Sequence, residues 1–571
     1  MQRLQLTIPV AVALLAAAPV WAAPAPVVDP ALFVGNWKVI NVPHGDEQVC
    51  ALVQIEHKDG RFHATVLASP LLGQAKTSLE NFTVADSTMQ FDLKTQNRVL
   101  HAKVYVSKTD PKSNVAWGLV TDNEFLWPAQ FVRTTATTLK ATEAVTRTEG
   151  YEELVKACDL RDRRERQTAL KELIQKRGDE SVCYRASELL LLYYTQLPPS
   201  DDELRNTAEQ FVKAGARFGP EIKYFTLATA CQMVTRSDEV SPGAMEFVRN
   251  ADKLLATEVP TTDTATVVKS LVVALEKTGK REEAKALEAR VAKLDALLDA
   301  EYEKSALPFK VEVFKGRKGS SQRVAVVEHF VNSHSTPSIG HEVAFDATLQ
   351  AYQPKDVILL QYHVYHVPEP LVNADAEARL KYYRDANQSV GVCSELLNGK
   401  PRAISGANRW DGEDVYRSLR DDLNKALETD TTFGLKLKVE RNGDKIDAVA
   451  DVTGLKKPGE NLRLRFVLLQ DSVRFAGRGP RLHRHVVRAL PGGVDGFALT
   501  EKEAHKAVTV DLVQLKKALH DYRSDFNKGL WKFREEESPL NLKNLKVVAL
   551  IQDDDTKEIL QAAQIDVPDA K

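Results

Sequence analysis

Ser321–Tyr352, SQRVAVVEHFVNSHSTPSIGHEVAFDATLQAY, decides how the rest of the chain is read. Val324, Ala325, Val326 and Val327 form a near-continuous apolar run, the pattern of a strand covered on both faces. The short loop Ser335-Thr336-Pro337-Ser338 follows. Ser335 or Thr336 has a side chain suited to cap a helix, and Pro337 stands in the first turn, where a missing N–H costs nothing. Ile339, Val343, Ala347 and Ala351 then recur every fourth residue, which predicts a helix with one apolar face.

Downstream the pattern predicts a second apolar strand at Asp356–Tyr362 and a helix at Ala374–Arg384. Two strands within Cys393–Ile404 turn at Asn398-Gly399, a good two-residue hairpin signal, and a helix covers Asp411–Leu427. Upstream, Pro308–Gly319 reads as a linker or edge strand. From Gly434 to the C-terminus short strands return, broken by turns at Asn442-Gly443-Asp444 and Pro491-Gly492-Gly493 and by one helix at Leu512–Phe526. A β-sandwich of immunoglobulin or fibronectin type over 431–571 is the simplest architecture for them.

Between about Glu143 and Ser305 the apolar period is 3.6, as in Val182, Ala186, Leu189, Leu190 and Tyr193, and six or seven helices are expected. The arrangement resembles a tetratricopeptide-like helical array, which implies a groove for a protein partner, although no signature repeats at fixed period. Residues 30–140 alternate polar and apolar in short runs, as in Arg61–Ala68 and Val115–Val120, separated by turns such as His57-Lys58-Asp59-Gly60. Seven to nine antiparallel strands in a small barrel are expected. Its opening, Gly35-Asn36-Trp37, resembles the start of lipocalin-like barrels; the resemblance implies that Trp37 plugs one barrel end and makes it a candidate for lining a ligand cavity.

The chain has 571 residues, enough for roughly three to five domains at about 150 residues each. Lys and Arg number 77 against 79 Asp and Glu, so the net charge of −2 gives no global electrostatic case for nucleic acid or an anionic membrane. Residues 1–22 combine Arg3, an apolar run from Leu6 to Ala18, and the small residues Val20 and Ala22, the pattern of a secretory signal peptide with mature start at Ala23. No later segment is long and apolar enough to span a bilayer, so a periplasmic, secreted or cell-envelope location is expected. Five cysteines occur, an odd number; Cys158 and Cys183 fall on neighbouring helices, where either a bridge or two packed thiols fits.

VAVVEHF with its four-residue loop, DVILLQYHVYH, the hairpin SELLNGKPRA and RHVVRALPGG at 484–493 together resemble exported thioredoxin-like proteins with a β-sandwich tail, a group that includes Omp28-like proteins. The resemblance covers 308–568 and implies a thioredoxin-like α/β domain over 308–430. It also implies a nucleophilic cysteine at the Ser335 position, a resolving cysteine at the Ser338 position, and a cis-proline at the Cys393 position. All three have changed. A hydroxyl cannot form a disulfide, so dithiol exchange through this loop is excluded where the alignment holds.

Other chemistry has candidates nearby. His334, His341, His363 and His366, with Glu342 close by, offer a zinc or copper set, but no pair has an i, i+4 helical ligand spacing. Ser335 beside His334 offers a hydrolase pair without a Gly-x-Ser-x-Gly elbow. His483 and His485 alternate on a strand and read as a solvated face. The expectation is therefore a binding or scaffolding protein of the envelope with no cofactor and an unidentified protein partner, with His334, His363 and Trp37 as binding candidates. The competing class is a redox enzyme or sensor using Cys393, or a histidine-bound metal protein.

Overall fold

A computed structural model describes residues 29–570 apart from 43–45, 70–76, 86, 96–98, 107–112, 123–125, 141–144, 148–149, 179, 238, 256–260, 367–368, 387, 403–405, 432, 476–479 and 528–540. The expected signal peptide and its cleavage site lie outside the described residues. The chain forms two compact units, one reaching to Leu197 and including Asn206–Ala230, the other made of Pro198–Arg205 and Cys231–Lys571.

The first unit holds strands β1 (Gly35–Asn41), β2 (Asp46–Lys58), β3 (Arg61–Ala68), β4 (Ser78–Ala85), β5 (Thr88–Lys94), β6 (Val99–Tyr105), β7 (Val115–Thr121) and β8 (Leu126–Thr134). They pair antiparallel in the order β3-β2-β1-β8-β7-β6-β5-β4, and a short β9 (Val145–Arg147) adds to β2. Among the described residues β3 and β4 share no ladder, so the eight-strand barrel is nearly closed. Gly118 of β7 sits against β6 because a Cβ there would lie 2.0 Å from the carbonyl oxygen of Lys103.

Trp37 is buried in the core of this barrel. Its indole Nε1 donates to the Phe33 carbonyl at 2.8 Å, and the Arg133 guanidinium lies 4.5 Å from the ring centroid. Arg133 also donates to the carbonyls of Ala31, Leu32 and Val34 at 3.1, 2.6 and 3.0 Å, tying the last strand to the 3-10 turn Pro30–Leu32. Trp37 is thus held between the Phe33 carbonyl and the Arg133 guanidinium.

Helices α1 (Tyr151–Asp159), α2 (Arg163–Arg177), α3 (Val182–Tyr194), α4 (Asp201–Ala216), α5 (Pro220–Val234), α6 (Pro242–Leu255), α7 (Thr261–Lys277) and α8 (Arg281–Ser305) form the helical array. They are eight among the described residues, one more than the periodicity predicts. Asp162 caps α2, its Oδ1 accepting from the backbone of Arg164 and Glu165 at 2.8 and 3.0 Å. Within the first unit, Glu221 at the start of α5 accepts from Lys103 and Tyr105 of β6, at 2.6 and 2.5 Å.

After α8 the chain runs β10 (Ala325–Val331), α9 (Ile339–Ala351), β11 (Val357–His363), α10 (Ala374–Arg384), β12 (Ser394–Leu397), β13 (Lys400–Pro401) and α11 (Gly412–Ala426). Then come β14 (Gly434–Asn442), β15 (Lys445–Thr453), β16 (Gly459–Arg474), β17 (Leu482–Ala489), β18 (Phe497–Leu499), β19 (Ala504–Asp511), α12 (Leu512–Asn527), β20 (Leu545–Asp553) and β21 (Ile559–Asp566). β10 pairs parallel with β11 and antiparallel with β12, whose hairpin to β13 turns through Asn398 and Gly399 at φ 49° and 75°, both left-handed. A side chain on Gly399 would also meet the Lys557 carbonyl oxygen at 1.9 Å.

One sheet of order β13-β12-β10-β11-β17-β16-β20-β21 crosses both regions that the sequence pattern divides at 430/431. The join is the parallel pairing of Gln361 in β11 with Val486 in β17. The tail strands therefore do not make a free-standing sandwich. Val486 and Val487 are both buried because their sheet is covered on each face. A separate three-stranded sheet, β14-β15-β19, contributes Ile446, Ala448 and Ala450 to a core shared with Phe466, Leu468 and Ala549.

Replacing Arg133 by Ala removes the cation over Trp37 and the hydrogen bonds to the carbonyls of Ala31, Leu32 and Val34, and is expected to destabilise the barrel by about 2 kcal/mol. Denaturant unfolding followed by tryptophan emission checks this; an unchanged midpoint would mean that the barrel does not depend on the arginine.

Candidate functional site

The site lies where β10 ends. Asn332 builds the turn: its Oδ1 accepts from the His334 amide at 3.1 Å, its Nδ2 donates to the Val364 carbonyl at 3.0 Å, and its own carbonyl accepts from the Ser335 amide at 2.8 Å. A 3-10 turn, Thr336–Ser338, leads into α9. Neither Ser335 nor Ser338 caps a helix with its side chain, so of the two expected capping candidates, Ser335 and Thr336, the first does not take that role. Both hydroxyls turn instead to Cys393, lying 3.4 Å (Ser335 Oγ) and 3.0 Å (Ser338 Oγ) from its Sγ.

Cys393 is half-buried and takes φ 71°, a left-handed conformation uncommon for a non-glycine residue. Its amide donates to the Phe330 carbonyl at 2.8 Å, which fixes the segment before β12 against the end of β10. From the other side the Ala407 amide donates to the Pro337 carbonyl at 2.8 Å, and the Gly340 amide to the Ala407 carbonyl at 2.9 Å. Gly340 is needed for this approach, since a Cβ would lie 2.4 Å from the Asn408 carbonyl oxygen. The three positions that the sequence comparison singled out, Ser335, Ser338 and Cys393, are thus brought together around one sulfur. All five cysteines are free thiols, Cys158 and Cys183 included, and Cys393 is the sole cysteine in 308–568.

Behind the loop runs a buried polar chain. Glu369 accepts from the Ser333 amide at 2.6 Å and from the Ser333 hydroxyl, and its other oxygen lies 2.6 Å from His363 Nδ1. His363 Nε2 is 3.2 Å from Gln361 Oε1, Gln361 donates to Glu342 at 3.4 Å, and Glu342 lies 3.0 Å from His483 Nδ1. His483 Nε2 ends the chain on the Phe475 carbonyl at 3.0 Å. Burial opposes the charge on Glu369, but His363 and Ser333 outweigh it and hold the carboxyl below its ordinary range. Burial holds His363 below the usual imidazole value. It also pulls on His483, where Glu342 overcomes it and leaves that ring raised.

This arrangement is not a nucleophile–base pair, because Ser333 and His363 share one carboxylate instead of facing each other. Ser335 points to sulfur and not to His334, whose ring lies edge-on to Phe475 with centroids 5.8 Å apart. The proposed metal set is likewise dispersed. His341 is beside His329 and Glu395, His363 is in the polar chain, His334 packs on Phe475, and His366 is exposed. Among the described residues no group of three or more His, Cys, Asp and Glu is placed to hold a metal ion. His483 and His485, read as a solvated face, are buried, and His485 Nδ1 donates to the Leu359 carbonyl at 3.0 Å. Glu369 and His483 were not predicted as partners of His363, for nothing in local spacing links β11 to β17.

His329 is fully buried in β10 with neither ring nitrogen hydrogen-bonded. His341 of α9 faces it with ring centroids 5.7 Å apart, and Glu395 of β12 lies 3.9 Å from His341 Nδ1 and is paired with Arg402. Burial, reinforced by His341, pushes His329 down to about 3.

No protein-family model matches the chain, and no curated protein matches it. Among solved structures, HBP35 of Porphyromonas gingivalis is similar over 44% of this chain and 78% of its own, with 13% identity and a TM-score of 0.31. A DNA-bound alkylpurine DNA glycosylase AlkC of Pseudomonas fluorescens aligns over 73% of this chain and 90% of its own, at 8% identity and a TM-score of 0.14.

The lowered His329 value has a definite sign. The unfolded chain takes up a proton below about 6.5 and the folded chain does not until about 3, so stability is lost as pH falls through that window. Its share of the slope is at most about 1.4 kcal/mol per pH unit. In His329→Leu the urea midpoint should fall less between pH 7.5 and pH 5 than in the native chain. Equal falls in the two proteins would show that His329 is protonated in the folded state.

Proposed function

We propose that this chain is an exported cell-envelope protein in which a thioredoxin-like domain, without its dithiol, serves as a binding or scaffolding module. The reading of the domain is supported by β10, α9, β11, α10, β12, β13 and α11 following one another with strand order β13-β12-β10-β11, the first two strands parallel and the hairpin antiparallel. Residues 1–22 support export. The buried Trp37 with Arg133 over it supports a lipocalin-like reading of the barrel, and the neighbour packing of α2 with α3 and of α6 with α7 supports helix pairs of tetratricopeptide type. The partner is a protein of the envelope.

One observation carries the functional reading: the sulfur of Cys393 faces two hydroxyls and no second thiol. Dithiol exchange needs two sulfurs to take up and release the electron pair, and this site holds one. The native chain is therefore expected to show no turnover with a disulfide substrate and a dithiol reductant. Ser338→Cys, which sets a thiol beside Cys393, is expected on treatment with glutathione disulfide, which is reduced to two glutathione thiols, to close an intrachain disulfide visible as the mass loss of two hydrogens. Turnover by the native chain would overturn the reading. Mass spectrometry of the exported protein should give Ala23 as first residue, and a retained leader would remove the support for export.

A second reading has its own observation. Cys393 Sγ lies within hydrogen-bond reach of two hydroxyls and is only half-buried, a setting in which a single thiol can form a mixed disulfide with an external disulfide. Stoichiometric modification of Cys393 by glutathione disulfide, mapped by peptide mass, would favour it over the binding module.

A further inference from the structure

No further inference is drawn: the strongest candidate, the buried side-chain cluster of His329, His341 and Glu395 between β10, α9 and β12, carries nothing, since its groups are not placed to hold a metal ion and nothing in the structure shows what else would occupy it.

Discussion

β10 has no exposed face, yet its centre carries Glu328 and His329. A strand covered on both sides must satisfy its polar groups from within, and the surroundings of β10 are shaped by that demand. Glu328 points to the α10 face, where the buried Arg379 donates to it at 2.8 Å and the Tyr383 hydroxyl also reaches it. Arg379 lies 4.7 Å from the Tyr383 ring centroid and 5.0 Å from that of Tyr382, so the guanidinium replaces water with a carboxylate and two aromatic faces. His329 points to the opposite face, toward α9, and gets no such partner. One strand thus separates a carboxyl group met by Arg379 and Tyr383 from a ring without a hydrogen-bond partner, and the second depends on staying neutral.

The same sheet explains why the polar chain behind the loop is possible. Because β17 pairs parallel to β11, His483 arrives beside His363 with ring centroids 4.9 Å apart, and Glu342 and Glu369 each serve one of the rings. Two carboxylates and two imidazoles buried together balance more easily than any one of them alone. The opposite displacements of the two histidines follow from this geometry: Glu342 overcomes burial at His483, whereas at His363 burial prevails.

Much of the architecture was legible where the period was clean. The hairpin at Asn398-Gly399, the helix at Ala374–Arg384 and the strand at Arg61–Ala68 come directly from turn chemistry and alternation. β4 lacks a clean alternation because Asn81, at φ 52°, marks a break in register between Glu80 and Thr83. The continuous sheet was illegible for a different reason: a parallel join between β11 and β17 spans more than a hundred residues and leaves no local pattern. That one long-range pairing also moved His483 from an expected solvated face into the core. At the site, the serines and Cys393 were found because they occupy positions singled out by resemblance, while Glu369 gave no signal beyond following a strand.

The loop's own geometry limits what the site can be. Its backbone is held on three sides, by Asn332 from within, by Phe330 through Cys393, and by Ala407 through Pro337 and Gly340. A loop so tied presents fixed groups and has little freedom to adapt, the condition under which a surface recognises a shape. The remaining side is closed by Phe475 against His334. That contact is set in the buried cluster of Phe475 with Leu371, Val473 and Val486, so apolar packing holds the side that backbone hydrogen bonds do not.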